Sequence, residues 1–103
     1  FKPLNDAQKD EFGKMADEVI TFISRCMLEI KRNDYTAFDQ LVEKAVSISN
    51  ALTQLKKNEL KRIQGQSGST KVSMVYLNMI QETQNVVSFT SNLIKVSRKF
   101  QME

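Results

Sequence analysis

The residue types that most often carry out catalysis are nearly absent from this sequence. Its 103 residues include no His and one Cys, so a Cys–His pair and a histidine general base are both impossible. The cysteine, Cys26, falls on a helical apolar stripe, which predicts a buried and chemically inert thiol. A single Cys also excludes an internal disulfide. We therefore expect no catalytic site and no enzyme activity.

Carboxylates are the remaining groups that could bind a metal ion. Asp39 and Glu43 are four residues apart on a predicted helix and so share one face, while Asp17 and Glu18 are single candidates on another helix. Acidic residues in such positions are more often solvated surface charges. We expect these carboxylates to bind neither a metal ion nor any other cofactor.

The glycine-containing segment 65–71, GQSGSTK, is only superficially similar to a phosphate-binding loop. A P-loop has four residues between its glycines and a Lys directly after the second one. Here two residues intervene, and Lys71 follows Gly68 by three positions. No strand is predicted before the segment. The sequence therefore predicts a linker at this point.

The charge pattern argues against a nucleic-acid-binding protein. The net charge is +3, but Lys and Arg alternate with Asp and Glu along the chain, which is typical of a solvated surface. A nucleic-acid interface would show a one-sided basic patch with aromatic residues interleaved. No apolar run approaches the roughly 20 residues that a membrane helix needs, and no signal-peptide pattern opens the chain. Weak attraction to an anionic membrane surface stays open.

The elements that must position any functional side chain are three long helices, predicted at about 6–32, 35–64 and 70–100. No strand pattern is present, and short connections between long helices favour antiparallel neighbours. We predict an all-α domain over 1–103, an elongated antiparallel up-down-up three-helix bundle. The candidate N-caps are Asn5 or Asp6 for the first helix, Asp34 or Thr36 for the second, and Ser69 or Thr70 for the third.

Each predicted helix carries an apolar stripe with spacings of three and four residues, which is the pattern of a core-facing side. In the first helix the stripe is Phe12, Met15, Val19, Phe22, Ile23, Cys26 and Ile30. In the second it is Phe38, Leu41, Ala45, Ile48, Leu52, Leu55 and Ile63. In the third its centre line is Val72, Val75, Met79, Val86, Leu93 and Phe100, with Tyr76, Ile80, Val87 and Ile94 beside that line.

Three polar residues interrupt these stripes. Glu59 falls near the middle of the second stripe, which predicts that the helix frays, shifts or opens to water at that point. Thr83 and Thr90 fall on the centre line of the third helix. Their hydroxyls can donate to the carbonyl four residues earlier, which would satisfy them inside a bundle.

The third helix also carries a family resemblance. Its segment Tyr76–Ser88, YLNMIQETQNVVS, resembles the signature helix of PhoU-like domains, Met15–Val19 resembles the first helix of that family, and Arg32–Asp34 resembles its first turn. The resemblance spans nearly the whole chain but covers one of the two three-helix units of a full-length PhoU protein. The ending Ser97–Gln101 is similar to the PhoU-like domain at the cytoplasmic C-terminus of bacterial sodium/phosphate cotransporters.

The sequence departs from the family at the Glu-x-x-x-Asp motif that binds metal clusters in many members. Gln84 and Ser88 occupy these positions, and an amide and a hydroxyl are poor ligands for a hard or transition cation. Both residues are predicted on the flank of the third helix. We therefore expect a metal-free version of the fold, and the family's metal binding is not carried over.

The resemblance implies a non-catalytic regulatory or interaction domain of a sodium-dependent phosphate transporter. Such a domain would lie on the cytoplasmic side of the inner membrane and dock by a helix face on the membrane domain or on a second copy of itself. A chain that begins with Phe1 suggests the C-terminal part of a longer protein. The alternatives are a free-standing PhoU-like adaptor in phosphate signalling and a structural helical subunit of an assembly. The candidate contact residues are Leu28, Val46, Leu77 and Phe89.

Overall fold

The computed structural model describes residues 4–65 and 69–102 and contains three α-helices. They are α1 (Asp6–Arg32), α2 (Phe38–Gln64) and α3 (Thr70–Met102), and no strand occurs in these two ranges. Every pair of helices is in contact, and the molecule measures 54 × 19 × 18 Å. The prediction of an all-α domain with three long helices is confirmed, and the arrangement is consistent with a three-helix bundle.

Both ends of α1 lie where the sequence predicts them. The side chain of Asn5 accepts a 2.8 Å hydrogen bond from the amide of Gln8, and the side chain of Gln8 accepts a 2.9 Å hydrogen bond from the amide of Asn5. This reciprocal pair is a capping box. Asn33 caps the other end, where its backbone amide donates to the carbonyl of Ile30 at 3.2 Å, and its left-handed backbone (φ 54°) lets the amide of Asp34 donate to the carbonyl of Glu29 at 3.1 Å.

The start of α2 differs from the prediction, because the helix begins at Phe38 rather than Tyr35. Ala37 occupies the N-cap position and no side chain caps the helix, so the predicted cap by Asp34 or Thr36 is wrong. Instead, one carboxylate oxygen of Asp34 accepts from both the amide and the hydroxyl of Thr36, which commits both residues to a turn. These hydrogen bonds from Thr36 hold the pKa of Asp34 below its usual value.

The connection from α2 to α3 falls partly outside the described residues. Gly65 ends α2, and its amide donates to the carbonyl of Lys61 at 2.9 Å. The hydroxyl of Ser69 accepts from the amide of Val72 at 3.3 Å, which confirms Ser69 as the predicted cap of α3. Residues 66–68, the middle of the predicted linker, lie outside the described ranges.

The core is built from apolar side chains of all three helices. In α1 and α2 the buried apolar residues all belong to the predicted stripes, so the inner faces of these helices are confirmed. The buried apolar residues are Met15, Val19, Phe22 and Cys26 of α1, Leu41, Ala45, Ile48 and Leu52 of α2, and Tyr76, Ile80, Val87 and Ile94 of α3.

The inner face of α3 is not the predicted one. The predicted centre line is largely exposed, with 44% of Val75, 46% of Val86 and 79% of Phe100 accessible to solvent. The side that faces α1 and α2 is the row predicted beside the centre line, in which Tyr76 and Ile80 are fully buried. Four polar residues complete that inner row: Ser73, Gln84, Thr90 and Ser91.

The side of α3 that faces the core is determined by polar contacts with α2. α3 has apolar residues on two sides, and a periodic pattern alone cannot tell which side meets the rest of the domain. Polar atoms on α2 decide the outcome, because Glu59 accepts from Ser73 and the carbonyl of Ser49 accepts from Gln84. Burying this side of α3 gives Ser73 and Gln84 hydrogen-bond acceptors on α2, whereas burying the other side would take Glu82 into the core.

Candidate functional site

A buried polar cluster lies where the beginning of α1, the last turns of α2 and the first turns of α3 meet. We call it the Glu59 cluster. It is the most extensive polar network among the described residues, and its contacts between helices were not predicted. Its members are Gln8 and Glu11 of α1, Glu59 and Arg62 of α2, and Ser73 and Tyr76 of α3.

Glu59 is the centre of this cluster and only 1% of it is exposed. One carboxylate oxygen accepts from the side-chain amide (Nε2) of Gln8 at 3.0 Å and from the hydroxyl of Ser73 at 2.5 Å. The other oxygen accepts from Nη1 of Arg62 at 2.6 Å. The prediction that α2 frays or opens to water at Glu59 is therefore wrong, because three neighbouring side chains satisfy the carboxylate inside a continuous helix.

Glu11 and Arg62 join α1 to α2 at the edge of the cluster. Nη1 and Nη2 of Arg62 donate to the two carboxylate oxygens of Glu11, both at 2.9 Å, and the hydroxyl of Tyr76 donates to Oε1 of Glu11 at 2.7 Å. Burial alone would raise the pKa of Glu11, but the hydrogen bonds from Arg62 and Tyr76 outweigh burial and hold the pKa below its ordinary value. The cluster therefore keeps Glu11 charged.

Tyr76 and Arg62 of the cluster keep their protons. Burial, together with the hydrogen bond to Glu11, raises the pKa of Tyr76 far above its ordinary value. The hydrogen bond to Glu11 likewise raises the pKa of Arg62. Within the described residues, every buried side-chain nitrogen and oxygen has a hydrogen-bond partner. The cluster therefore fastens three helices together and presents no unpaired group to a substrate.

The carboxylates considered as metal ligands do not converge. Glu18 is 3.1 Å from the ammonium group of Lys44, while Asp17, Asp39 and Glu43 are exposed on α1 and α2. In the part of the chain that the structure describes, no three His, Cys, Asp or Glu side chains are grouped closely enough to bind a metal ion.

Gln84 and Ser88 occupy different environments. Gln84 is buried, and its amide donates to the carbonyl of Ser49 at 3.0 Å and to the hydroxyl of Thr53 at 2.9 Å. The prediction that Gln84 lies on the flank of the third helix is therefore wrong. Ser88 is exposed. Gln84 acts as a hydrogen-bonded link between α2 and α3.

The other polar and thiol groups behave as predicted. The hydroxyl of Thr83 donates to the carbonyl of Met79 at 2.7 Å, and that of Thr90 donates to the carbonyl of Val86 at 2.8 Å. Cys26 is fully buried, and burial raises the pKa of its thiol to about 11. A thiol with such a pKa is protonated at neutral pH and is a poor nucleophile.

An open cavity of about 500 Å³ lies between α1 and α2. Charged side chains of both signs surround it, including Asp17, Glu18, Arg25 and Lys44. Two of them, Glu18 and Lys44, pair with each other rather than pointing at a common centre. The cavity therefore has no set of like-charged or convergent groups that would select a ligand.

The four predicted contact residues lie on three different helices. Leu28 of α1 is 43% exposed, Val46 of α2 is 58% exposed and Phe89 of α3 is 68% exposed, whereas Leu77 of α3 is half-buried. Leu28 lines a small cavity beside the turn between α1 and α2. Phe89 belongs to a larger apolar surface.

That surface is the side of α3 turned away from the core, and we call it the outer face of α3. Its apolar side chains are partly to largely exposed, and they recur along more than 25 residues of helix. They form one row because their spacings alternate between three and four residues except where Glu82 takes one position. The members are Val75, Met79, Val86, Phe89, Leu93, Val96 and Phe100.

The outer face of α3 continues onto α1. A shallow cavity of about 260 Å³ has walls from both helices, with Ala16 and Ile20 of α1 opposite Val86 and Glu82 of α3. Ile20 is 62% exposed. Exposed apolar side chains on two adjacent helices form a contiguous patch, and such patches mark interaction sites more often than isolated surface residues do.

The sequence contained a signal for this second face. The row Val75, Met79, Glu82, Val86, Phe89, Leu93, Val96 and Phe100 follows the heptad spacing of helices that pack on other helices. The row Tyr76, Ile80, Val87 and Ile94 was equally visible. Two apolar rows on one helix predict two partners, one on each side.

Among the described residues, no helix is long and apolar enough to cross a lipid bilayer. The chain matches no protein-family model, and no curated protein or solved structure shows a significant similarity to it.

Proposed function

We propose that this domain is a non-catalytic protein-interaction domain that docks through the outer face of α3 and the adjoining edge of α1. The observation that carries this proposal is the row of exposed apolar residues along α3, in which Phe89, Val96 and Phe100 are each more than three-fifths exposed. Exposing such a row to water is unfavourable, and covering it with a protein partner removes that cost.

The internal organisation of the domain suits this role. The Glu59 cluster and the Gln84 hydrogen bonds satisfy buried polar groups within the bundle through the inner face of α3. The outer face is then available without loss of any internal contact. A partner can bind to it without unfolding or rearranging the core.

The context that we propose comes from the resemblance of Tyr76–Ser88 to PhoU-like domains. An up-down-up course of the helices supports it: Glu11 near the start of α1 pairs with Arg62 near the end of α2, and Arg98 near the end of α3 lies 4.2 Å above the ring of Phe38 at the start of α2. In that context the domain would regulate a sodium-dependent phosphate transporter from the cytoplasmic side of the inner membrane.

Two alternatives stay open within the same class of function. A free-standing adaptor in phosphate signalling would use the outer face of α3 to bind a transporter or a sensor protein in trans. A structural subunit would use it to complete a larger helical assembly. Both need the exposed row on α3, and they differ from the transporter proposal in what covers that row.

The first test is the size and location of the native gene product, detected with an antibody raised to this domain. A band well above 11.8 kDa in the membrane fraction would support a domain attached to a transporter. A band near 11.8 kDa in the soluble fraction would overturn the transporter proposal and favour an adaptor or an assembly subunit.

The second test addresses the face itself. In the full-length protein, Phe89→Glu places a charge in the outer face of α3, and we expect it to change phosphate uptake without lowering the amount of protein in the membrane. Leu60→Glu is the matched control, because Leu60 is 49% exposed but lies on α2. Equal uptake by both variants and the parent would contradict the role of this face.

A further inference from the structure

The outer face of α3 has the pattern of a helix that packs against another helix. From Met79 to Phe100 its positions advance by alternating steps of three and four residues, the spacing of the two seam positions of a coiled coil. Helices with this repeat pack side by side along their length, so the pattern favours a helical partner over an extended peptide or a flat surface.

The borders of the face favour a second copy of the same chain. One border carries the exposed residues Asn78, Asn85 and Asn92 at heptad spacing, and the other includes Thr83, whose hydroxyl is already satisfied within the helix. Two identical surfaces repel each other when their borders carry charges of one sign. Between residues 78 and 92 these borders carry no charge, so two copies can approach closely there.

The charges at the two ends of the face set the orientation. Glu82 is the only charged residue within the row, and Lys99 borders the row near the other end of α3. Parallel pairing in register would place two Glu82 carboxylates opposite each other. Antiparallel pairing about an axis near Ser91 would place Glu82 of each copy beside Lys99 of the other, which is a complementary contact.

The available area is sufficient for a stable contact. From Met79 to Met102 the helix is about 36 Å long. Because the bundle is 19 Å wide, α3 together with the adjoining edge of α1 can cover at most roughly 700 Å² on each copy, slightly below the about 800 Å² per partner of a standard interface.

From these observations we infer that the domain forms a two-fold symmetric homodimer through antiparallel packing of the outer faces of α3. Phe89 of each copy packs near Leu93 of the other, and Ile20 of α1 closes the edge of the interface. This inference rests on the proposed function, because it names the occupant of the docking face. The dimer would join two copies of any longer protein that carries the domain.

The test is the molecular mass of the chain in solution, measured by sedimentation equilibrium from micromolar to hundred-micromolar concentration. We expect twice the monomer mass of 11.8 kDa. Phe89→Glu should weaken dimerisation by at least about 100-fold, since a charge at the centre of an interface removes an aromatic anchor and adds an unpaired group. Leu60→Glu, at an exposed position of α2, should leave the dimer intact.

Folding controls show whether a loss of dimerisation is caused by a loss of folding. Phe89 is exposed, so the variant should retain its helical circular dichroism and its unfolding transition. If Phe89→Glu does not fold, Val96→Glu provides the same charge in the same face at an equally exposed position. A monomer at the highest concentration, or a dimer that both face variants leave intact, would overturn the inference.

Charge reversal tests the orientation. Glu82→Lys alone and Lys99→Glu alone should each weaken the dimer, and the double variant should recover at least about 10-fold in affinity over either single variant. In a parallel dimer the two residues do not meet, so the double variant would not recover, and the antiparallel arrangement would be wrong.

Thiol cross-linking gives an independent test of orientation. Asn92→Cys lies next to the proposed axis and should form a disulfide between copies, whereas Asn78→Cys lies far from the axis and should not. Cys26 is fully buried and supplies no competing thiol. Cross-linking at both positions would indicate parallel packing and overturn the proposed geometry.

The failure of this inference is distinguishable from the failure of the proposed function. The chain could be monomeric while Phe89→Glu still alters phosphate uptake in the full-length protein. The dimer would then be wrong, and the outer face of α3 would remain the proposed docking surface. If the chain dimerises but Phe89→Glu has no effect on phosphate uptake, the dimer interface would be retained and a structural subunit of an assembly would be favoured.

Discussion

The hydroxyl of Tyr76 on α3 donates a 2.7 Å hydrogen bond to the carboxylate of Glu11 on α1, a residue 65 positions earlier in the chain. The same carboxylate accepts two hydrogen bonds from Arg62 on α2. One side chain of α1 is therefore fastened to both other helices. The aromatic ring of Tyr76 adds an edge-to-face contact with Phe12, 6.1 Å between ring centres.

Removing the hydroxyl of Tyr76 should destabilise the domain while leaving its packing intact. Tyr76→Phe keeps the buried ring but deletes a hydrogen bond to a charged acceptor, which is worth about 1.5–3 kcal/mol in free energy of unfolding. Urea unfolding followed by circular dichroism measures the change. Tyr35→Phe removes the same hydroxyl away from the cluster and is the matched control. Equal effects of the two substitutions would contradict the proposed role of Tyr76.

Truncating Glu59 should be among the most costly single changes in the chain. Glu59→Ala leaves the buried donors of Gln8 and Ser73 without an acceptor, while Arg62 keeps Glu11, and each buried donor left without a partner costs about 1–3 kcal/mol in free energy of unfolding. Denaturant unfolding measures the loss. Glu43→Ala, at an exposed position of the same helix, should cost less than about 0.5 kcal/mol. A similar small value for Glu59→Ala would show that the cluster contributes little to stability.

The stability of the domain should fall in acid because of Glu11. Its pKa is lower in the folded protein than the ordinary value of 4.5, so its contribution is fully present above pH 4.5 and is lost as the pH falls through the folded pKa. Urea unfolding between pH 2.5 and pH 7, a range chosen to span about two units on either side of that value, should show this loss. Glu11→Gln should flatten the acid side of the curve, and an unchanged curve would assign the dependence to other carboxylates.

Two adjacent valines on α3 test which side of the helix faces the core. Val87 is 1% exposed and Val86 is 46% exposed. Val87→Ala should therefore destabilise the domain by about 2 kcal/mol, whereas Val86→Ala should change the free energy of unfolding by less than about 0.5 kcal/mol. The measurement is made at low micromolar concentration so that association does not contribute. The reverse order would restore the inner face that the sequence pattern predicts.

The helices themselves could be predicted because their signals are local. Asn5 stands at the start of α1 with Gln8 three residues later, and Lys31 and Arg32 occupy the last turn, where cations favour the helix end. The bounds of α1 follow from these residues alone. The start of α2 could not be predicted in the same way, because Asp34 and Thr36 have equal propensity for a cap and for a turn.

The site could not be predicted because its contacts are long-range. Glu59 is a charged residue within the apolar stripe of α2. Its burial is favourable because Gln8 of α1 and Ser73 of α3 donate hydrogen bonds to its carboxylate. The same holds for Gln84, whose partners Ser49 and Thr53 lie on α2. A polar residue within an apolar stripe has two outcomes, exposure or pairing, and the sequence of one helix does not distinguish them.

The polar contacts of α3 also determine how the domain can respond to mechanical load. Ser73 and Gln84 are hydrogen-bonded to α2 at two heights along the helix. Sliding α3 by one turn, about 5.4 Å, would break both contacts together. Relative sliding of the helices is thus strongly opposed, whereas tilting of the whole bundle is not. A force on one end of this 54 Å bundle should therefore displace the other end as well, because the helices do not slide past one another.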